Sequence, residues 1–109
     1  MAIDIDTLET NATLATLQDV INQKEALGFE LISLARGVAN GQKSNTATFH
    51  ILAVAGSPGP LTLVEVAGAK SLPQQETDLT NGEAGEKKLI SYAAVLVQGN
   101  ETNVAAYRG

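Results

Sequence analysis

"NATLATLQDVINQKEALGFELISLARG", residues 11–37, decides how this chain folds, because the spacing of its apolar residues changes at Gly28. Before the glycine, Leu14, Leu17, Ile21 and Leu27, with Val20 beside them, recur near helical spacing. Gln18, Asp19, Asn22, Gln23 and Glu25 fill the other side. The pattern predicts an amphipathic helix of about four turns. Thr10 or Asn11 can cap its start through a side-chain oxygen, and Gly28 can take the left-handed conformation that ends a helix. After the glycine, "FELISLARGVA" reads as a strand.

Working outward, "TATFHILAVA" is a second strand-like run, and the "NGQKSN" between the two supplies asparagine and glycine where positive φ is easiest, so the pair predicts a hairpin. "SPGP" forces a turn, "LTLVEVAG" makes a third strand, and "LISYAAVLVQGNETNVAAYR" closes the chain as a second hairpin around "QGNET". Between them, residues 69–88 form a polar stretch of about twenty residues. That exceeds the usual connection and predicts a mobile or functional loop. Three segments, "FHILAVAG", "LTLVEVAG" and "YAAVLVQG", end alike in valine and glycine; their irregular spacing fits strand ends of one sheet rather than a solenoid.

The 109 residues therefore predict a single α+β domain over 1–109, one N-terminal amphipathic helix packed on an antiparallel sheet of about five strands. A chain of this length buries roughly two thirds of its unfolded surface and needs no covalent staples. One short helix covers only part of such a sheet, while Leu31, Ile32 and Leu34, Ile51, Leu52 and Val54, and Val95, Leu96 and Val97 place apolar groups on what alternation makes two faces. Exposed, that surface costs about 25 cal/mol per Å². A homo-oligomer or an enclosed pocket is the expected cover.

Composition excludes several chemistries. Without cysteine and with one histidine, the chain offers no disulfide, no thiolate zinc site and no cysteine nucleophile, and no calcium-loop pattern is present, so neither metal nor cofactor is expected. The formal charge of −5 comes entirely from residues 1–30; the rest of the chain holds six basic and six acidic groups. Such a distribution argues against nucleic acid and anionic membranes as partners. No leader-like start or apolar run of spanning length is read, which makes a cytoplasmic protein the expectation.

His50 shares a strand face with Thr48, Leu52 and Val54, whereas Ala47, Phe49, Ile51 and Ala53 form the opposite, uniformly apolar face expected to meet the helix. A histidine on the mixed face is read as a hydrogen-bonded surface or interface group, or, with Glu30, Glu65, Tyr92 or Tyr107 beside it, as an acid–base catalyst. Arg36 and Arg108 end strands amid small residues, where a guanidinium can grip a carboxylate or phosphate. If the alanine-rich face forms a pocket, Arg36, His50, Tyr92, Tyr107 and Arg108 are the groups expected to hold a small anionic ligand. No catalytic motif accompanies them. The reading is a non-catalytic ligand-binding or assembly module. The alternatives are a cofactor-free isomerase, cyclase or lyase using His50 or a tyrosine, and an inhibitor or sequestering protein of a mobile element that docks a partner protein.

About residues 17–55 resemble a family of small uncharacterised prokaryotic α+β domains in which a helix runs into a G-W-E-L-V strand and then a hairpin. Leu17, Ile21, Leu27, Gly28, Glu30 and Leu31 carry the resemblance, with Phe29 in place of tryptophan. It implies an α+β fold, with "AIDID" as a strand before the helix, and no established activity.

Overall fold

The computed structural model describes residues 2–52, 60–67, 70–97 and 99–109. Val54 on the predicted His50 face and the "SPGP" turn up to Gly59 lie outside the described residues. Among those described are six strands and two helices, in the order β1 (Ala2–Thr7), α1 (Leu14–Ala26), β2 (Phe29–Ala39), β3 (Gln42–Ile51), β4 (Leu61–Ala67), α2 (Leu72–Gly82), β5 (Lys88–Val97) and β6 (Asn100–Arg108). They form two antiparallel three-stranded sheets, β1-β3-β2 and β4-β6-β5. The class is α+β, but the expectation of one helix on one sheet of about five strands is corrected to two helices and two sheets.

The second helix occupies the stretch expected to be a loop, residues 69–88. Its buried contact is the polar Gln75, and Leu79 is only partly covered, so hydrophobic periodicity is faint. Pro73 sits in the first turn, where a missing N–H costs nothing, and the Ser71 side chain accepts from Gln74 N at 3.4 Å as the N-cap.

The chain is one β-α-β-β unit built twice, with a constant offset of 58 residues. Leu14 opens α1 and Leu72 opens α2, capped by Thr13 and Ser71. The trio Leu31-Ile32-Ser33 in β2 recurs as Leu89-Ile90-Ser91 in β5, and in both the register slips across the isoleucine. Each helix ends in a glutamate whose carboxylate accepts the N–H of that leucine, Glu25 from Leu31 at 2.9 Å and Glu83 from Leu89 at 2.8 Å. In the hairpin turn of the first unit both Asn40 and Gly41 have positive φ, 51° and 76°, which matches the twist of the flanking strands. Buried Asn45 and Ala47 return as buried Asn103 and Ala105, and Phe49 returns as Tyr107.

The bulge also explains why alternation misleads in β2. With Ile32 as the extra residue, Leu31 and Leu34 fall on the same face and are both 1% exposed, so that face is far drier than strict period two predicts. Phe49 and Ala47 point at α1, as expected, and pack with Leu17 and Ile21.

The two units adjoin directly at β2 and β5, and their sheets enclose α1. One face of the second sheet, carrying Leu61, Leu63, Val104 and Ala106, joins the same core cluster as Leu17, Ile21, Leu31 and Phe49, so α1 lies between two sheets. The other face, with Val66, Ala105 and Tyr107, is covered by α2 through Leu79. Where β2 meets β5 a side chain replaces a ladder: the Ser91 hydroxyl accepts from Leu34 N at 3.0 Å and donates to Leu34 O at 3.1 Å.

Candidate functional site

The five residues singled out from sequence do not line one pocket; they fall in three layers. Arg36 lies between the sheets, where Nε donates to Asn45 Oδ1 at 2.9 Å and Nη1 to Thr102 Oγ1 at 2.7 Å. Burial pushes its pKa below the usual value, partly offset by the charge of Glu65. Arg108 faces the same layer and pairs with Glu25 on α1. Tyr92 and Tyr107 lie on the opposite face of the second sheet, under α2. The Tyr92 hydroxyl donates to Gln75 Oε1 at 2.5 Å and accepts from Asn103 Nδ2 at 2.8 Å, while Tyr107 donates to the Leu79 carbonyl at 3.2 Å. Burial, and then Glu83 and Asp78, raise the Tyr107 pKa above its ordinary value.

His50 alone stands on an outer surface. Its strand partners are Ile3 on β1 and Glu30 on β2, and the next row across the same face is Ile5, Thr48 and Ser33. The imidazole is half-buried among them. Ile3 and Ile5 are 50% and 65% exposed, a pair of large apolar side chains in water. Nothing in "AIDID" itself marks them, because the segment is short and each of its isoleucines is followed by an aspartate. The signal that would have found them is the 58-residue register, which sets Ile3 and Ile5 against Leu61 and Leu63.

That equivalence turns the interior of the molecule into a description of its surface. In the second unit, the face corresponding to the His50 face is covered by α1. Leu61 and Leu63 there are 7% and 5% exposed. The Gln18 side chain completes the edge of β4, its amide donating to Leu61 O at 2.9 Å and accepting from Leu63 N at 2.7 Å. Arg108 stands where His50 stands, and its guanidinium holds Glu25 Oε1 at 3.2 Å, Glu25 Oε2, and the Leu31 carbonyl at 3.3 Å. Among the described residues the first unit presents the same strand face with no helix on it, and the second presents a helix, α2, whose far side is open: Leu72 is 72% exposed, and Glu76 and Glu83 are exposed as well.

Among the described residues no group of three or more histidines or carboxylates is placed to hold a metal ion, and no helix is long and apolar enough to cross a membrane. No protein-family model, no curated protein and no solved structure matches this chain.

Proposed function

We propose that this chain is a non-catalytic assembly module of the cytoplasm whose working surface is the outer face of the β1-β3-β2 sheet, and that its first partner is another copy of itself. One contrast carries the reading. The same two strand positions are shielded in one unit and bare in the other, Leu61 and Leu63 against Ile3 and Ile5. Burying two isoleucines is worth about 1.5–3 kcal/mol each, enough to favour a covered state of this face. The version in which the module grips a small anionic ligand has less support, since Arg36 and Arg108 are already engaged with Asn45, Thr102 and Glu25.

Sedimentation equilibrium over the micromolar to millimolar range tests the reading. The expected result is a mass that is a multiple of 11.3 kDa, reduced to the single-chain mass by Ile5→Asp with the circular dichroism spectrum retained. A wild-type protein that stays at the single-chain mass throughout the range overturns it.

A further inference from the structure

Resting on that reading, we propose that copies associate head to tail, with α2 of one copy seated on the outer β1-β3-β2 face of the next, repeating between chains the contact that α1 makes with the second sheet within one chain. The occupant of the bare face is thereby fixed by the molecule's own architecture: the internal seam is an interface already formed, and both of its halves recur, unpartnered among the described residues, on the outside of the molecule.

The open sheet face carries part of what the closed seam uses: Val104 and Ala106 of the seam correspond to Thr46 and Thr48, and the large apolar groups recur only on β1. Ile3 and Ile5 correspond to the buried Leu61 and Leu63. Leu72, 72% exposed, corresponds to Leu14, which packs against the core. At the polar end of the seam, Arg108 grips the Glu25 carboxylate that also caps the Leu31 N–H. The equivalents are His50 and Glu83, the latter already capping Leu89 N at 2.8 Å. An imidazole and a carboxylate are thus brought opposite one another, with Glu30 on β2 the charged group beside His50 on its own sheet.

The edge contact departs from the template in an instructive way. Gln18 both donates to and accepts from the edge of β4. Its equivalent, Glu76, can accept from the N–H of Ile5, but an ionised carboxylate has no hydrogen for the Ile3 carbonyl. The contact between chains is therefore weaker than the seam within a chain, and Glu76→Gln tightens it. His50→Arg does the same by supplying the fork that Arg108 supplies. Each tightens association by roughly tenfold, the worth of one added hydrogen bond to a charged or edge group.

Such a contact is heterologous: different patches meet, so an open chain of copies keeps one free face of each kind, at its two ends, until a ring closes or a filament runs on. The test exploits that asymmetry. Ile5→Asp spoils the sheet face and Leu72→Asp spoils the helix face, both at exposed positions where the fold is not at stake; circular dichroism and thermal melting verify this, with Ile3→Asp and Glu83→Arg as replacements if either variant unfolds. Head-to-tail stacking predicts that each variant alone sediments as a single chain and that an equimolar mixture forms a one-to-one heterodimer through the two intact faces. If the Leu72→Asp protein assembles like wild type while Ile5→Asp does not, the sheets pack face to face and the inference falls, although self-association stands. If wild type itself never leaves the single-chain mass, self-association falls first and takes the inference with it.

Discussion

Arg108, half-buried on the last strand, and Glu25, buried near the end of the first helix, form an ion pair that clamps the two units of the chain together. Glu25 is 6% exposed and its Oε2 also accepts the Leu31 N–H, so the carboxylate is held from two sides. Removing the cation leaves that charge buried with one backbone donor. Arg108→Met is expected to lower unfolding free energy by about 3 kcal/mol, read from denaturant titration. Glu25→Gln, which keeps an oxygen for Leu31, costs less than Glu25→Ala, and the double variant Glu25→Gln/Arg108→Met costs less than the two single losses added. Glu83→Gln touches the equivalent but exposed position and is expected to cost less than about 1 kcal/mol. Equal losses at 25 and 83 would contradict the clamp.

Gly82 shows how the two units have diverged in a coupled way. Its equivalent in α1 is Lys24, yet a Cβ at 82 would run into the Tyr107 hydroxyl and ring, with Cε1 at 2.9 Å. The first unit has Phe49 at that place and so has no hydroxyl there. Gly82→Ala is expected to destabilise by about 1–3 kcal/mol through overpacking, against the gain of up to about 1 kcal/mol that alanine ordinarily brings to a helix. Tyr107→Phe alone loses the bond to Leu79 O, about 1 kcal/mol. In the Gly82→Ala background the same change costs less, because it removes one of the colliding atoms and leaves only the ring carbons to shift. A strictly additive double-mutant cycle would refute this coupling.

Lys24 uses its helix position differently. Its ammonium lies 3.1 Å from Asp4 Oδ2, 3.0 Å from Asp6 Oδ2, and 4.0 Å from the centre of the Phe29 ring. The Lys24 ammonium holds the Asp6 pKa below its ordinary 3.8, and Asp6 in turn raises Lys24 above 10.5. A lowered acid contributes stability above its ordinary pKa and loses it as pH falls through the folded value; a raised base contributes below its ordinary pKa and loses it as pH climbs past the folded one. The pair is therefore complete between pH 3.8 and 10.5. Because these groups are part-exposed, Lys24→Met is expected to cost no more than about 1 kcal/mol at neutral pH, with the ion-pair part fading in acid and in high salt. The contact with the Phe29 ring leaves a residual difference in acid. A loss that is flat with pH would remove the ion pair from the account.

How much of this was legible in the sequence follows from which residues announce themselves. Gly28 and the spacing of Leu17 and Ile21 reveal α1 because the helix is dry on one side, and Asn40-Gly41 reveals the first hairpin because few other residues tolerate two positive φ values in succession. Helix α2 is hidden because it buries Gln75 rather than a leucine. The duplication is hidden for a related reason: the second unit keeps the geometry while exchanging chemistry, Phe49 for Tyr107, Lys24 for Gly82 and Gln18 for Glu76. What survives unchanged, Leu-Ile-Ser at the bulge and glutamate at each helix end, is too short to stand out before the register is known. The five candidate site residues were chosen by chemical type, and type alone cannot tell an arginine that waits for a ligand from one that already holds Glu25.

Ser33 and Ser91 offer the sharpest test of how the two units adjoin, because they are the same residue at the same bulge in two environments. Ser91 is half-buried and its hydroxyl satisfies both backbone groups of Leu34 across the junction of β2 and β5, whereas Ser33 lies exposed on the outer face of the first sheet. Ser91→Ala leaves an N–H and a carbonyl of a core residue without their partner and is expected to cost about 1–3 kcal/mol. Ser33→Ala changes only a solvated hydroxyl and is expected to stay within about 0.5 kcal/mol. Valine at position 91 adds apolar bulk and restores neither hydrogen bond, so it should be no better than alanine. Amide hydrogen exchange supplies the local readout: the Leu34 N–H loses protection in Ser91→Ala and keeps it in Ser33→Ala. If the Leu34 amide remains protected without the Ser91 hydroxyl, the junction of β2 and β5 is held by something other than this side chain.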